Sequence, residues 1–173
     1  MFNSLKKVSI KSKILRGETK FVEFQQSLSL DIKRIDFDPS YFPKKEKYLE
    51  AVFIKTIAGF LNTEGGELYI GIKDKPTEIT GIEKELEILY KSNTDQILLY
   101  IKSLIDSNIG LQFINLINIE LTKIENKKII RVSCKRSSQP IFVKDLFYIR
   151  SGPSTDELKG KALLEYTKKN FPN

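Results

Sequence analysis

Carboxylates, lysines and tyrosines are the side chains left in this chain for acid–base or nucleophilic work. It has no histidine and a single cysteine, Cys134. A Ser-His-Asp triad, a Cys-His pair and a histidine base are excluded. A zinc site, which needs several Cys or His ligands, cannot be built. Any catalysis has to run on carboxylates, lysine, tyrosine or a hard cation held by carboxylate oxygens. The chain also lacks G-x-x-x-x-G-K-[ST], so Gly65-Gly66 does not mark a P-loop and no nucleotide cofactor is expected. One cysteine allows no internal disulfide and fits a reducing compartment, so a cytoplasmic location is expected.

Charge points to the partner. Twenty-nine Lys and Arg face twenty-two Asp and Glu, a net charge of +7. That balance favours anionic partners, with nucleic acid first, a membrane surface second and an acidic protein third. Three groups of residues are candidates for contact. The polar stretch from Asp31 to Lys47 carries Lys33, Arg34, Lys44 and Lys45, which suit sequence-independent phosphate contacts. Alternation over Lys128–Arg136 puts Arg131, Ser133 and Lys135 on one strand face, opposite Ile130, Val132 and Cys134. Tyr148 and Arg150 share a face as well, where a ring can stack on bases and a guanidinium can meet phosphate. The plainer alternative for each is an ordinary solvated face. No recognition helix, zinc finger or aromatic RNP strand is evident, so contact is expected through backbone charge and shape.

These residues need a frame. Phe21–Leu30 reads as a strand, with Phe21, Glu23 and Gln25 on one side and Val22, Phe24 and Gln26 on the other. Asp31–Lys47, with Pro39 and Pro43, reads as a loop. Tyr48–Asn62 reads as a heavily buried helix stopped by Gly65-Gly66, and Glu67–Ile72 as the next strand. Thr94–Asn108 has a helical stripe of Ile97, Leu98, Ile101, Leu104 and Ile105, with Asn93 or Thr94 as its cap. Phe113–Thr122 and Lys128–Arg136 form a hairpin around Glu125-Asn126-Lys127. Ile141–Arg150 is further strand, bent near Lys144-Asp145. Ser154–Glu157 has the form of a capping box opening a last helix. The longest apolar segment, Ala51–Leu61, is broken by Lys55 and Thr56, and no run is long enough to span a bilayer. Residues Met1–Gly17 are punctuated by Lys6, Lys7, Lys11, Lys13 and Arg16, unlike a secretory signal. The expected fold is α+β, a mixed, largely antiparallel sheet with packed helices, in a single domain over residues 1–173 with its core at about 15–171.

Three stretches in order resemble one family. Gly17-Glu18-Thr19-Lys20-Phe21-Val22-Glu23-Phe24 is close to G-E-x-x-x-[VL]-E-F-K. Ile57 to Asp74 resembles A-F-x-N-T-x-G-G-x-[LI]-x-[IF]-G-[VI]-x-D. Pro140-Ile141-Phe142, with Phe147-Tyr148-Ile149-Arg150-Ser151-Gly152-Pro153-Ser154-Thr155, is similar to P-[VIL]-[YF] and F-[YW]-x-R-x-G-x-S-T. The combination resembles the AlbA-type domain of the Schlafen family. The resemblance implies nucleic-acid binding and, in some members, metal-dependent RNA cleavage with tRNA among the substrates.

Carried over residue by residue, the acids of those members fall on Glu18, Glu23 and Asp74. They are the expected catalytic residues and the expected ligands of Mg²⁺ or Mn²⁺. Residues five apart on a straight strand face opposite ways, so Glu18 must precede the strand or the chain must bend. The chain departs from the pattern at Gln25, where the family has lysine; Lys20 or Lys73 are candidates to replace its charge. Three readings follow: a binding domain for RNA or DNA backbones, a metal-dependent endoribonuclease, or a protein-interaction module. The resemblance also suggests pairing of two copies to form a basic trough.

Overall fold

The computed structural model describes residues 9–172, so Lys6 and Lys7 lie outside it. The chain opens with helix α1 (Ile10–Arg16), strand β1 (Val22–Gln25), a short helix α2 (Ile32–Phe37) and the long helix α3 (Lys47–Asn62). Strands β2 (Gly66–Ile70), β3 (Ile72–Lys73) and β4 (Glu78–Ile79) follow, then helices α4 (Glu83–Tyr90) and α5 (Thr94–Asn108). The hairpin β5 (Ile117–Ile124) and β6 (Lys127–Cys134) comes next. Strands β7 (Phe142–Val143), β8 (Leu146–Ser151) and β9 (Ser154–Leu158) and helix α6 (Gly160–Asn170) complete it. The fold is α+β, with one parallel pairing among antiparallel ones.

The central sheet has the order β1-β2-β6-β5, with β1 parallel to β2 and the other pairs antiparallel. Alternation sorts its residues. Leu68, Ile70, Ile130 and Val132 face α3 and α5, joining Phe53, Ile57, Leu61, Ile101 and Ile105 in the main core. Val22, Phe24, Tyr69 and Ile129 face the other way, into a smaller core with Ile14 of α1. Glu23 and Gln25 therefore lie on the α3 side of edge strand β1. The β7-β8-β9 sheet packs on the far side of α3.

The Gly65-Gly66 pair is a joint between α3 and β2. Gly65 has φ +79°, and a Cβ on Gly66 would run into the Phe60 ring. The hairpin turn sits at Glu125-Asn126, both at positive φ, as a two-residue turn requires.

Three expectations need correction. The strand expected over Phe21–Leu30 ends at Gln25, because the amides of Leu28, Ser29 and Leu30 all turn to the buried carboxylate of Glu85, at 2.6–3.1 Å. The expected loop 31–47 contains α2, capped by Asp31, whose side chain accepts the Arg34 N–H at 2.9 Å. Ser154–Glu157 is no capping box. It pairs with Ser151–Tyr148 as β9, and the last helix starts at Gly160.

Candidate nucleic-acid interface

Gly17 closes α1 at φ +78°, a conformation that costs glycine little. The chain then doubles back, with Thr19 and Val22 exchanging backbone hydrogen bonds at 2.9 and 3.3 Å. That bend brings Glu18 alongside β1, where its Oε1 accepts the Phe24 N–H at 2.9 Å on the open edge of the strand. The two glutamates of the motif become neighbours by folding back, not by strand periodicity.

Glu23 projects from the same stretch and binds the Arg150 guanidinium at 2.8 Å. Asp74, after β3, is near enough to act on both. Burial raises the Glu18 carboxyl above its ordinary range; the Phe24 N–H pulls it down, while Glu23 and Asp74 push it up. Burial likewise raises Glu23. The Arg150 ion pair and Lys55 oppose the rise without cancelling it, and Asp74 adds to it. Glu18, Glu23 and Asp74 thus lie in one electrostatic neighbourhood. They do not form a ready cation cage. No group of three or more Asp, Glu, Cys or His among the described residues is arranged to hold a metal ion. One oxygen of Glu23 is already taken by Arg150, and one of Glu18 by a backbone amide.

Arg150 is the main correction to the expected contact surface. Its side chain is 0% exposed and lies over the Phe60 ring, 4.8 Å from the centroid. Its five N–H groups go to Glu23 Oε2, Thr155 Oγ1 and the carbonyls of Thr19, Lys20 and Pro153, at 2.8–3.3 Å. No donor is left for a phosphate. Tyr148 beside it is half-buried and lines a different cleft.

The other basic candidates separate by sheet face. Arg131 is on the α1 side, bound to Glu67 at 3.0 Å, Glu120 at 3.4 Å and Ser133 at 3.0 Å. Lys135 is exposed beyond the end of β6. Lys45 is not a free loop cation either: its ammonium sits over the rings of Tyr100 and Tyr90, 3.4 and 4.8 Å from the centroids. Lys20 is half-exposed and paired with Glu64, and Lys44 is exposed.

Lys33 and Arg34 do meet the acids' surroundings. They line an open cleft of about 670 Å³ together with Lys73, Asp74 and Lys75. A second cleft of about 380 Å³ carries Lys47, Lys55, Lys144 and Tyr148. Asp74 lines the first and Lys55 the second, and both act on Glu23. Each of the two cation-lined clefts thus holds one residue whose charge reaches Glu23. Lys55 was not among the expected contacts, although it is the one cation in the apolar run Ala51–Leu61.

A family model described as Schlafen, AlbA_2 matches residues 18–159. The chain belongs to this family. Membership places it in a nucleic-acid-related group, and the matched span includes all three acids and Arg150. The crystal structure of the DIP2311 protein from Corynebacterium diphtheriae is similar in fold, with a TM-score of 0.58 at 19% identity. The alignment covers 87% of this chain and 27% of that one, so this chain spans about a quarter of that protein's length. Within this Schlafen AlbA_2 domain, Gln25 occupies the position expected for lysine. Its Nε2 donates to the carbonyls of Leu28 and Leu49 at 3.3 and 3.1 Å, a structural job at the start of α3. Among the described residues, no helix is long and apolar enough to cross a membrane.

Proposed function

We propose that this domain binds nucleic acid through the phosphate backbone, with little reading of base sequence. The observation that carries the proposal is the pair of cation-lined clefts, each holding a residue, Asp74 or Lys55, whose charge reaches Glu23. Lys33, Lys73 and Lys55 make no ion pair among the described residues, so their charge is available to an anionic chain. Contacts of this kind displace counterions, and binding then weakens steeply with salt.

Fluorescence anisotropy with labelled RNA and DNA at 50 and 200 mM salt tests this. About four phosphate contacts correspond to roughly a 100-fold loss of affinity over that range. Replacing Lys33, Lys55 and Lys73 by alanine should flatten the salt slope by about two to three units. Binding that ignores salt, or ignores the triple variant, sinks the proposal.

One observation favours metal-dependent RNA cleavage as a second reading. Burial raises the Glu18 carboxyl, Glu23 and Asp74 add to the rise, and a nearby divalent cation would favour the ionised form. Their present arrangement does not fit a bound ion, so no cleavage step is derived from it. Incubation of tRNA with Mn²⁺ decides the matter: cleavage lost in Glu18→Gln supports the second reading, and intact tRNA with the wild-type protein removes it.

A further inference from the structure

The cleft of about 670 Å³ beside Asp74 is more than a patch of charge. Its volume falls within the roughly 300–1,000 Å³ of small-molecule sites. Two of its aromatic side chains are left open: Phe37 at the end of α2 is 85% exposed, and Tyr48 in the first turn of α3 is 54% exposed. Neither is needed by either hydrophobic core. Lys33, Arg34, Lys73 and Lys75 surround them, against two carboxylates, Asp31 and Asp74.

The wall is largely apolar, from Phe24, Leu30, Ile32 and Leu49, but it carries polar groups that a purely apolar partner would leave unpaired. Gln25, Gln26 and Ser27 form one part of it. Gln25 is more than nine-tenths buried, and its Oε1 accepts no hydrogen bond from the protein. An unpartnered buried acceptor is uncommon, and a ligand donor at the cleft wall is one way to meet it. Asp31 adds acceptor oxygens, fixed in place by the Tyr48 hydroxyl and the Arg34 amide. Open aromatic faces, hydrogen-bond acceptors and peripheral cations match three parts of one ligand. These are the π-face of a base, the N–H groups on its edge, and the phosphates on either side.

We propose that this cleft takes an unstacked nucleobase, so that the domain prefers single-stranded or looped nucleic acid to a continuous duplex. The inference rests on the nucleic-acid binding proposed above and adds the class of ligand. Stacking on Phe37 and Tyr48 accepts any base, in keeping with a lack of sequence reading.

The test compares binding of a labelled single-stranded RNA, and of the same sequence in a blunt duplex, to wild type, Phe37→Ala, Phe37→Trp and Tyr48→Ala. Because Phe37 is so exposed, its replacement should leave the melting temperature unchanged. Phe37→Ala and Tyr48→Ala should each weaken single-strand binding roughly 5- to 100-fold, Phe37→Trp should retain it, and duplex binding should not move. Single-strand binding untouched by both alanine variants overturns the cleft proposal while leaving backbone binding standing. So does an equal loss on both ligands. Failure of the wild type to bind either ligand overturns both proposals together. Conversion of a dimer to a monomer by Phe37→Ala, seen by sedimentation, would assign the face to a second copy and overturn the base site.

Discussion

Two groups of carboxylates, Glu50 and Glu85 on the one hand and Glu18, Glu23 and Asp74 on the other, are treated differently. Glu85, on α4, is 1% exposed and receives three backbone N–H groups. Its neighbour Glu50 is bound by Ser29, Tyr100 and Lys47 at 2.6–3.1 Å. Both acids are held by three donors each, although Glu50 also lines the second cleft. Glu18, Glu23 and Asp74 have between them one backbone amide, one arginine and a long contact with Lys75, and Asp74 lines the lysine-bearing first cleft. Acids of the first kind shape the chain. Acids of the second kind retain unspent negative charge at an accessible edge, an arrangement typical of sites that act on something else.

The sharpest way to break this contrast is to remove Glu85. Glu85→Ala leaves three amides without an acceptor in a region where Leu28, Ser29 and Leu30 are all fully buried. We expect a loss of about 3–5 kcal/mol in urea unfolding, or no folded protein. A loss below about 1 kcal/mol would make Glu85 as dispensable as a surface acid.

Arg150→Met comes next. It removes the buried guanidinium, leaves its five acceptors without that donor and strands Glu23, for an expected cost of about 3 kcal/mol. Adding Glu23→Gln should recover part of that cost, because the stranded charge goes with it. Additive losses in the double-mutant cycle would mean that the ion pair is not what joins β8 to β1.

The smallest effect belongs to Glu18→Gln, which can keep the bond from the Phe24 N–H and drops only the charge. Glu18 has its carboxyl raised in the folded state, so the folded protein binds a proton more readily than the unfolded chain does. At pH 7 the ionised group costs stability, and that cost disappears as pH falls toward the ordinary value of 4.5. Glu18→Gln should therefore equal or exceed the wild type at pH 7, by no more than about 1 kcal/mol because the group is half-exposed. Its advantage should shrink at pH 5. An advantage that grows with acid would reverse the assigned shift.

What the sequence made legible follows the range of each interaction. Helix α5 and the β5–β6 hairpin turn were legible and Asn93 was one of two cap candidates, since periodicity, a cap and a turn are local signals. The strand expected from Phe113 begins only at Ile117, after a 3-10 turn. Helix α3 was read to within one residue of its start. Helix α4 was missed because its eight residues mix acids with apolar side chains and its purpose lies in Glu85, which binds amides 55–57 residues away. The meeting of Glu18, Glu23 and Asp74 was available only through the resemblance, because the backward fold at Gly17 has no periodicity to detect. Arg150 misled for the same reason. Strand alternation makes it a solvent-facing partner of Tyr148, while its acceptors are carbonyls of Thr19 and Lys20 from the other end of the chain.

That long reach bears on the order in which the protein can be completed as it is made. Arg150 is translated 127 residues after Glu23. Until the β8–β9 ribbon emerges, the first strand can find its parallel neighbour but not its counter-ion, and the backbone carbonyls of Thr19 and Lys20 lack their donor. The final ribbon is accordingly a latch. Glu18 can meet its amide at Phe24 early, but Glu23 gains its counter-ion only when the last sheet closes over α3.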